Sequence, residues 1–333
     1  MEIKFPNALR YYHSNLNSNQ KKVYVAIYKG LRAFVSEITV PNIPAEEISK
    51  IFEGLLFDNP TIFYVSTYSI IVSSTKKTIT ICPKYSYNKN DAICYTKSIL
   101  KQLQKFDILK QMDDLNKELN VHAYCQKKIR YDYKFNSYAH TVIGAFSHNL
   151  AVCEGIAKFV KVVFDYIGVK CMIATGQTKN PVTNSMEEHA WNVVEIFGQF
   201  YHLDVTFDIT LTGRQRRFDY FNLTEAEIKR DHNINGIVPL CLSTNCNYFE
   251  VHSLVTNSTS ELENLIIQSL RKKQKNIMFK INFTHNKADI ESYILKLAKT
   301  AYYKATFLNM FMPSQIEIKS NLIQNVFELN FLT

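Results

Sequence analysis

Three residues of this chain have the types, order and local settings that nucleophilic catalysis needs. Cys153 opens an apolar helix, AVCEGIAKFVKVVF from Ala151. His189 stands at the head of a predicted strand, EEHAWNVVEI from Glu187. Asp204 follows in a second predicted strand, FYHLDVTFD from Phe200. A thiol, an imidazole and a carboxylate make a nucleophile, its base and the group that orients the base. The chemistry open to such a set is attack on an amide or thioester-like carbonyl. The acyl group then passes to water or to an amine.

The elements around these residues must place them. Ile156, Ala157, Phe159, Val160, Val162, Val163, Phe164 and Ile167 are too densely apolar for a single stripe, which predicts a helix buried on most sides and stopped by Gly168. Cys153 then lies at the N-terminus, where free N–H groups and the positive end of the helix dipole favour a thiolate and offer donors to an oxyanion. Gly155 admits close approach of a backbone or a substrate. KCMIAT from Lys170 reads as a buried strand ended by Gly176. Ala190 to Phe197 and Phe200 to Thr206 flank Gly198-Gln199, a hairpin turn, with His202, Asp204 and Thr206 on one face. An ideal hairpin on that turn sets Asp208, not Asp204, opposite His189. Asp204 needs a bulge or a longer loop. The residues by themselves leave both aspartates open.

The segments VCEG at a helix start, HAWN on a strand and HLDVTFD on the next resemble the transglutaminase-like superfamily of papain-type cysteine enzymes, in particular its small bacterial members. HAYCQKKIRYDY from His122, DNPTIFYV from Asp58 and YYHSNLNSNQKKVYVAIYKGL from Tyr11 resemble the regions upstream of that core. The resemblance implies an α+β, papain-like core, with Cys153 on a helix N-terminus packed against an antiparallel sheet carrying the histidine and the aspartate. It implies an N-terminal α+β region and a C-terminal β/α extension, and it implies Asp204 as the third member of the triad. The implied function is thiol-dependent acyl transfer or hydrolysis at an amide of a protein or peptide: protease, deamidase or cross-linking enzyme. The alternative is a non-catalytic binding or scaffold protein on the same fold. Two departures from the family pattern bear on substrate choice. Glu187-Glu188 precedes His189 where small residues are usual, and Asn149-Leu150 precedes Ala-Val-Cys. Candidates for the oxyanion or substrate site are Glu154, Trp191, Tyr138, His140, Asn149, Glu187 and Glu188. Trp191, two residues after His189, reads as a core residue and as an aromatic wall over the thiolate–imidazolium pair. His122 reads as a core histidine.

Composition sets the outer bounds. A chain of 333 residues predicts about two domains' worth of core. The boundaries read as 1–110 for the N-terminal region, 111–240 for the catalytic core and 245–333 for the extension. The net charge of +9 is spread over dispersed lysines, with clusters only at KKIR (Lys127), RQRR (Arg214) and RKKQK (Arg271), so no nucleic-acid partner is expected. Seven cysteines occur without a C-x-x-C pair, which predicts no metal site; no cofactor is expected either. Cys82, Cys94, Cys125 and Cys171 sit in apolar patterns and are expected to be buried. No run of about 18 apolar residues occurs, so no membrane insertion is expected. MEIKFPNALRYY lacks the apolar core of a signal peptide, which predicts a cytoplasmic protein, or a secreted one had a leader been removed. The sequence sets no oligomeric state.

The flanks carry clear local signals. Asn17-Ser18-Asn19 predicts a cap for a helix over 20–37, and Pro44 with Glu46-Glu47 opens a helix to Phe57. Strands are predicted over 61–74 and 78–82, turning at Thr75-Lys76-Lys77, and helices over 91–109 and 111–129. Beyond the core, Thr224 to Glu227 forms a capping box, and a helix starts at Ser260. A strand over 276–283, a helix over 287–306 and a strand-rich end over 315–331, turning near Ser320-Asn321, complete the chain.

Overall fold

Caps and apolar periodicity account for the first elements. In the computed structural model, which describes residues 3, 5–72, 78–179, 185–211, 216–283, 289–305 and 315–332, a short helix α1 (Tyr11–Ser14) leads into α2 (Ser18–Ala33). The Asn17 side chain accepts from the N–H groups of Asn19 and Gln20, and the Gln20 side chain returns to Asn17 N–H. That reciprocal cap satisfies donors a helix start leaves open. Val23, Ile27 and Leu31 form the buried stripe. The helix ends at Phe34, in the left-handed region, three residues short of the predicted Glu37. Strand β1 (Ile38–Pro41) precedes α3 (Ala45–Asp58), for which Pro44 is the cap residue. Strands β2 (Val65–Val72) and β3 (Thr78–Tyr85) complete an antiparallel sheet of order β1–β3–β2. The predicted turn at Thr75-Lys77 lies outside the described residues.

Two predicted helices change at their ends. Helix α4 (Lys89–Leu103) does not continue to Leu109; the chain tightens into a 3₁₀ helix over Gln104–Gln111. Helix α5 (Asp114–Lys128) starts three residues later than Gln111, because Asp113 caps it by accepting from Asn116 N–H at 2.9 Å. Of the four cysteines expected to be buried, Cys125 and Cys171 are, whereas Cys82 is half-buried and Cys94 is exposed. Cys94 lies on the open face of α4, where alternate apolar positions mislead.

The core then assembles on one helix. Strand β4 (Arg130–Tyr131) runs parallel to β5 (Leu150–Ala151), which delivers the chain into α6 (Cys153–Ile167). Twelve of the 15 residues of α6 are buried, and each large apolar side chain among them contributes roughly 1.5–3 kcal/mol. The helix packs on an antiparallel run of β6 (Lys170–Lys179), β7 (Met186–Ile196) and β8 (Gln199–Leu203), followed by α7 (Val205–Thr210). With β9 (His232–Asn235) the sheet order is β8–β7–β6–β9. Strand β6 does not end at Gly176 but runs through it, because Gly176 lets the Asn233 carbonyl approach to 1.8 Å of where a Cβ would stand.

The chain falls into two units, Met1–Arg217 with Asn233–Cys241, and Phe218–His232 with Leu242–Thr333. The first takes in both the 1–110 region and most of the predicted core. The second contains α8 (Glu225–Ile228), with the predicted Thr224–Glu227 capping box, and α9 (Tyr248–Val251). Strand β10 (Val255–Thr256), α10 (Thr259–Arg271), β11 (Asn276–Ile281), α11 (Ile290–Ala305), β12 (Gln315–Asn321) and β13 (Val326–Leu332) follow. The sheet order is β10–β11–β13–β12, and α10 and α11 bury Leu262, Ile266, Ile294 and Ala298 with Phe279, Phe327 and Leu329 of the sheet. The final turn spans 322–325, later than Ser320-Asn321, and Asn321 Oδ1 organises it by accepting from Ile323 and Gln324 N–H.

One close approach fixes the entry to α6. A Cβ at Gly155 would lie 2.0 Å from the Ala139 carbonyl oxygen, so the close neighbour is a backbone. The same carbonyl accepts from Val152 N–H at 3.1 Å. Gly155→Ala is therefore expected to cost about 2–3 kcal/mol in urea unfolding. A loss below about 0.5 kcal/mol would mean that the Ala139 segment yields freely.

Candidate active site

The position of Cys153 follows from α6. Val152 is extended (φ −87°, ψ 177°) and Cys153 is the first helical residue, half-buried. The sheet is tied to this helix by Asn192 of β7, whose amide donates to the Ala157 carbonyl at 3.0 Å. That bond sets the strand carrying His189 at a fixed height along the helix carrying Cys153.

His189 is almost fully buried on β7, with Gly176 opposite it on β6. Its Nε2 lies 2.7 Å from Asp204 Oδ2, and its other side takes a hydrogen bond with the Cys153 thiol. Burial alone would lower the imidazole pKa. The Asp204 carboxylate, through its charge and its hydrogen bond, and then Cys153 outweigh that and raise it to about 10. The ring stacks on Trp191 (centroids 5.9 Å apart, planes at 17°) and meets the edge of Phe207 at 5.1 Å. Trp191 is buried, as the core reading predicts, and its indole N–H donates to His202 Nδ1 at 3.0 Å.

Asp204 reaches His189 without a bulge. The hairpin turn consists of Phe197-Gly198, not Gly198-Gln199: both have positive φ (50° and 78°) and Ile196 pairs with Gln199. Positive φ at both central residues is what a tight two-residue turn demands. Asn192 therefore pairs with Leu203. One step further sets Asp204 across from Trp191 and on the face of His189. Asp204 and Thr206 are not on the strand, as the alternation predicted, for β8 ends at Leu203 and Asp204 caps α7, its Oδ1 accepting from Phe207 N–H at 3.1 Å. Asp208, the competing aspartate, lies a turn along α7 and meets His122 instead, at 2.9 Å. His122 is fully buried, in keeping with its reading as a core histidine.

The other candidates divide. Glu154 bonds to Lys158 and to His140 Nδ1 (3.1 Å). Burial opposes its ionisation, yet Lys158 and His140 hold it down to about 2. An ionised carboxylate accepts and cannot donate to an oxyanion. His140 is thereby tied to Glu154, and Tyr138 stacks on His148 at 4.2 Å. Asn149 takes a left-handed turn (φ 52°) just before β5, and its carbonyl accepts from Arg130 N–H. Glu187 and Glu188 stand exposed on β7, with Glu188 accepting from Gln177 at 2.7 Å. Tyr131, which sequence reasoning did not single out, pairs with Ala151 two residues before the thiol. Burial first, then the charges of Cys153 and Glu187, push its phenol well above the ordinary range, so it remains an O–H donor beside the thiol. A two-residue strand has no periodicity by which to find it.

Residues 104–205 match the model of the Transglutaminase-like superfamily. This segment is a transglutaminase-like core. It contains Cys153, His189 and Asp204. Among solved structures, the chain is similar to one described as "Crystal structure of a TGase", at 14% identity and a TM-score of 0.33 over 59% of this chain and 60% of that one. It is also similar to a "Putative Cysteine Protease" from Cytophaga hutchinsonii, at 12% identity and a TM-score of 0.29 over 42% and 61%. The chain thus spans about three-fifths of the length of each. No curated protein matches it. Among the described residues, no helix of the transglutaminase-like core or of the rest of the chain is long and apolar enough to cross a membrane.

Two measurements test this geometry. Iodoacetamide is expected to label Cys153 faster than the more exposed Cys94, and His189→Ala should erase that advantage. The second follows from the raised imidazole. Its stabilising pairing with Asp204 is complete below the unfolded value of about 6.5 and is lost as pH rises through about 10. The stability gap between the native chain and Asp204→Asn should therefore narrow in urea titrations from pH 7 to 10.5. A gap that widens over that range would contradict the assignment.

Proposed function

We propose that this protein is a cysteine-nucleophile enzyme that transfers or hydrolyses acyl groups at amide bonds of a protein or peptide. The observation that carries the reading is that the His189 ring is hydrogen-bonded both to the Asp204 carboxylate, through Nε2, and to the Cys153 thiol.

The steps follow from the parts. The Cys153 sulfur attacks the amide carbon while the imidazole holds the thiol proton. The negative oxygen of the tetrahedral intermediate faces the N–H groups at the start of α6, and the Tyr131 hydroxyl is the candidate for a further donor. The C–N bond breaks, the imidazolium passes its proton to the leaving amine, and a thioester remains on Cys153. Water, giving up its proton to the imidazole, then releases a carboxylic acid. An amine in its place releases a new amide. Asp204 keeps the ring oriented and its cation compensated throughout.

Two features bear on the substrate. Tyr133 and Phe135 are exposed on the loop after Tyr131, which Asp132 braces by accepting from Lys134 N–H (3.0 Å) and Asn136 N–H (2.9 Å). Aromatic side chains held outward on the segment that follows Tyr131 suit contact with a polypeptide. Glu187 and Glu188 carry negative charge, and Glu53, raised by burial and then by Glu154 and Glu188, belongs to the same acidic surround. Such a surround attracts a lysine ammonium or a peptide N-terminus.

The enzyme incubated with a peptide library and a labelled amine should yield modified peptides by mass spectrometry. Amine incorporation identifies cross-linking, a one-dalton gain at Gln or Asn deamidation, and chain cleavage proteolysis. Glu187→Gln with Glu188→Gln should raise KM for amine-bearing substrates about two- to fivefold, less at high salt. The absence of any product, with Cys153 unmodified, would replace this reading with a binding protein on the same fold.

A further inference from the structure

A second imidazole–carboxylate pair lies behind the triad and takes no part in the chemistry above. His122 of α5 and Asp208 of α7 are both fully buried, with Nε2 2.9 Å from Oδ2. Gln126, one turn along α5, braces the ring. Its Oε1 accepts from Arg217 N–H at 2.9 Å, so its other terminal atom is the amide nitrogen, which donates to His122 Nδ1 at 3.1 Å. The same nitrogen lies 3.4 Å from Nε2, so the ring is held between Gln126 and Asp208. The same amide nitrogen also donates to the Arg217 carbonyl at 2.6 Å, closing the chain beyond α7 onto α5.

Helix α7 has only six residues, too few to stand without tertiary support. Its cap is Asp204, whose Oδ1 accepts from Phe207 N–H and whose Oδ2 meets His189. The direction of the Asp204 carboxylate therefore depends on α7 keeping its place. We propose that His122 and Asp208 are positioning residues for the triad: their buried bond holds α7 against α5 so that Asp204 stays on His189 Nε2. The inference rests on the reading of Cys153, His189 and Asp204 as the reactive set. His122 touches none of the reacting atoms and acts through Asp204.

A double-mutant cycle on the full chain tests it, read as the iodoacetamide alkylation rate of Cys153 in folded protein by mass spectrometry. His122→Leu should slow alkylation about tenfold, the size reached when the partner of an orienting group is removed. In an Asp204→Asn background the same change should add less than about twofold. His122→Gln, nearly isosteric and still able to donate, should retain most of the rate, and it carries the cycle if His122→Leu does not fold, with a loss of about two- to threefold that disappears beside Asn at 204. A pair that is merely structural would lower the melting temperature and leave the rate in folded protein unchanged. Unchanged rates in the folded variants, or losses that multiply fully with that of Asp204→Asn, would overturn the proposal. Should Asp204→Asn alone leave the rate unchanged, the triad reading itself fails, and the positioning role with it.

Discussion

The bond between Asp204 and His189 is the constraint on which the core depends. A carboxylate with no solvent exposure costs several kcal/mol unless it is paired and hydrogen-bonded. Among the partners that meet that cost for Asp204 are the imidazole on one oxygen and a helix N-terminus on the other. The second partner also aims the first. Because the cap fixes the carboxylate plane, the imidazole is oriented by the start of a helix and not by a side-chain rotamer alone. The resulting charge on His189 is then available to a thiol on its far side.

The thiol's own position is secured by how α6 is buried. Lys161 is fully buried in the middle of that helix, yet its ammonium reaches Asp165 at 2.7 Å and the Leu9 carbonyl at 3.0 Å, and Arg10 meets the same aspartate. A cation in an apolar interior survives only with partners of this kind. The outcome is a helix locked to the N-terminal segment on one side and, through Asn192, to β7 on the other. Both attachments limit sliding of α6 along its axis. A shift of about 1 Å there would separate the thiol from the imidazole.

The N-terminal region braces the sheet by a similar device. Asp58, buried at the end of α3, accepts from the N–H groups of Tyr12 and His13 and from the Tyr24 hydroxyl. Burial lifts its carboxyl to about 6 despite those donors. Tyr12, placed by this cap, donates to the Ile173 carbonyl of β6 at 2.8 Å and packs with Phe57, Ala157 and Ala190. The layer under the site therefore contains residues from α1, α3, α6, β6 and β7, and its integrity reaches back to a carboxylate more than a hundred positions earlier in the chain.

What the sequence determined by itself was local. Cys153 at a helix start, His189 on a strand, the caps at Asn17 and Thr224 and the dense burial of α6 were legible because each depends on residues within a few positions of one another. The motifs also named the family of the core. The family resemblance implied Asp204, but spacing alone left Asp204 and Asp208 open, and only the tertiary structure shows where each one goes. A turn at Gly198-Gln199 would set Asp208 opposite His189; with the turn at Phe197-Gly198 that register is lost, and the end of β8 at Leu203 leaves Asp204 on His189 while α7 carries Asp208 to His122. Turn placement is a competition between strand packing and local strain, which spacing does not weigh. Tyr131 came to the thiol through a pair of two-residue strands, too short to leave a pattern. His122 and Asp208 found one another across 86 positions, and Cys94 came to face outward, because which side of a helix is covered depends on what folds over it. Chemistry-bearing types and their immediate settings are written in the local sequence, whereas pairing between distant groups is decided only when the whole core closes on them.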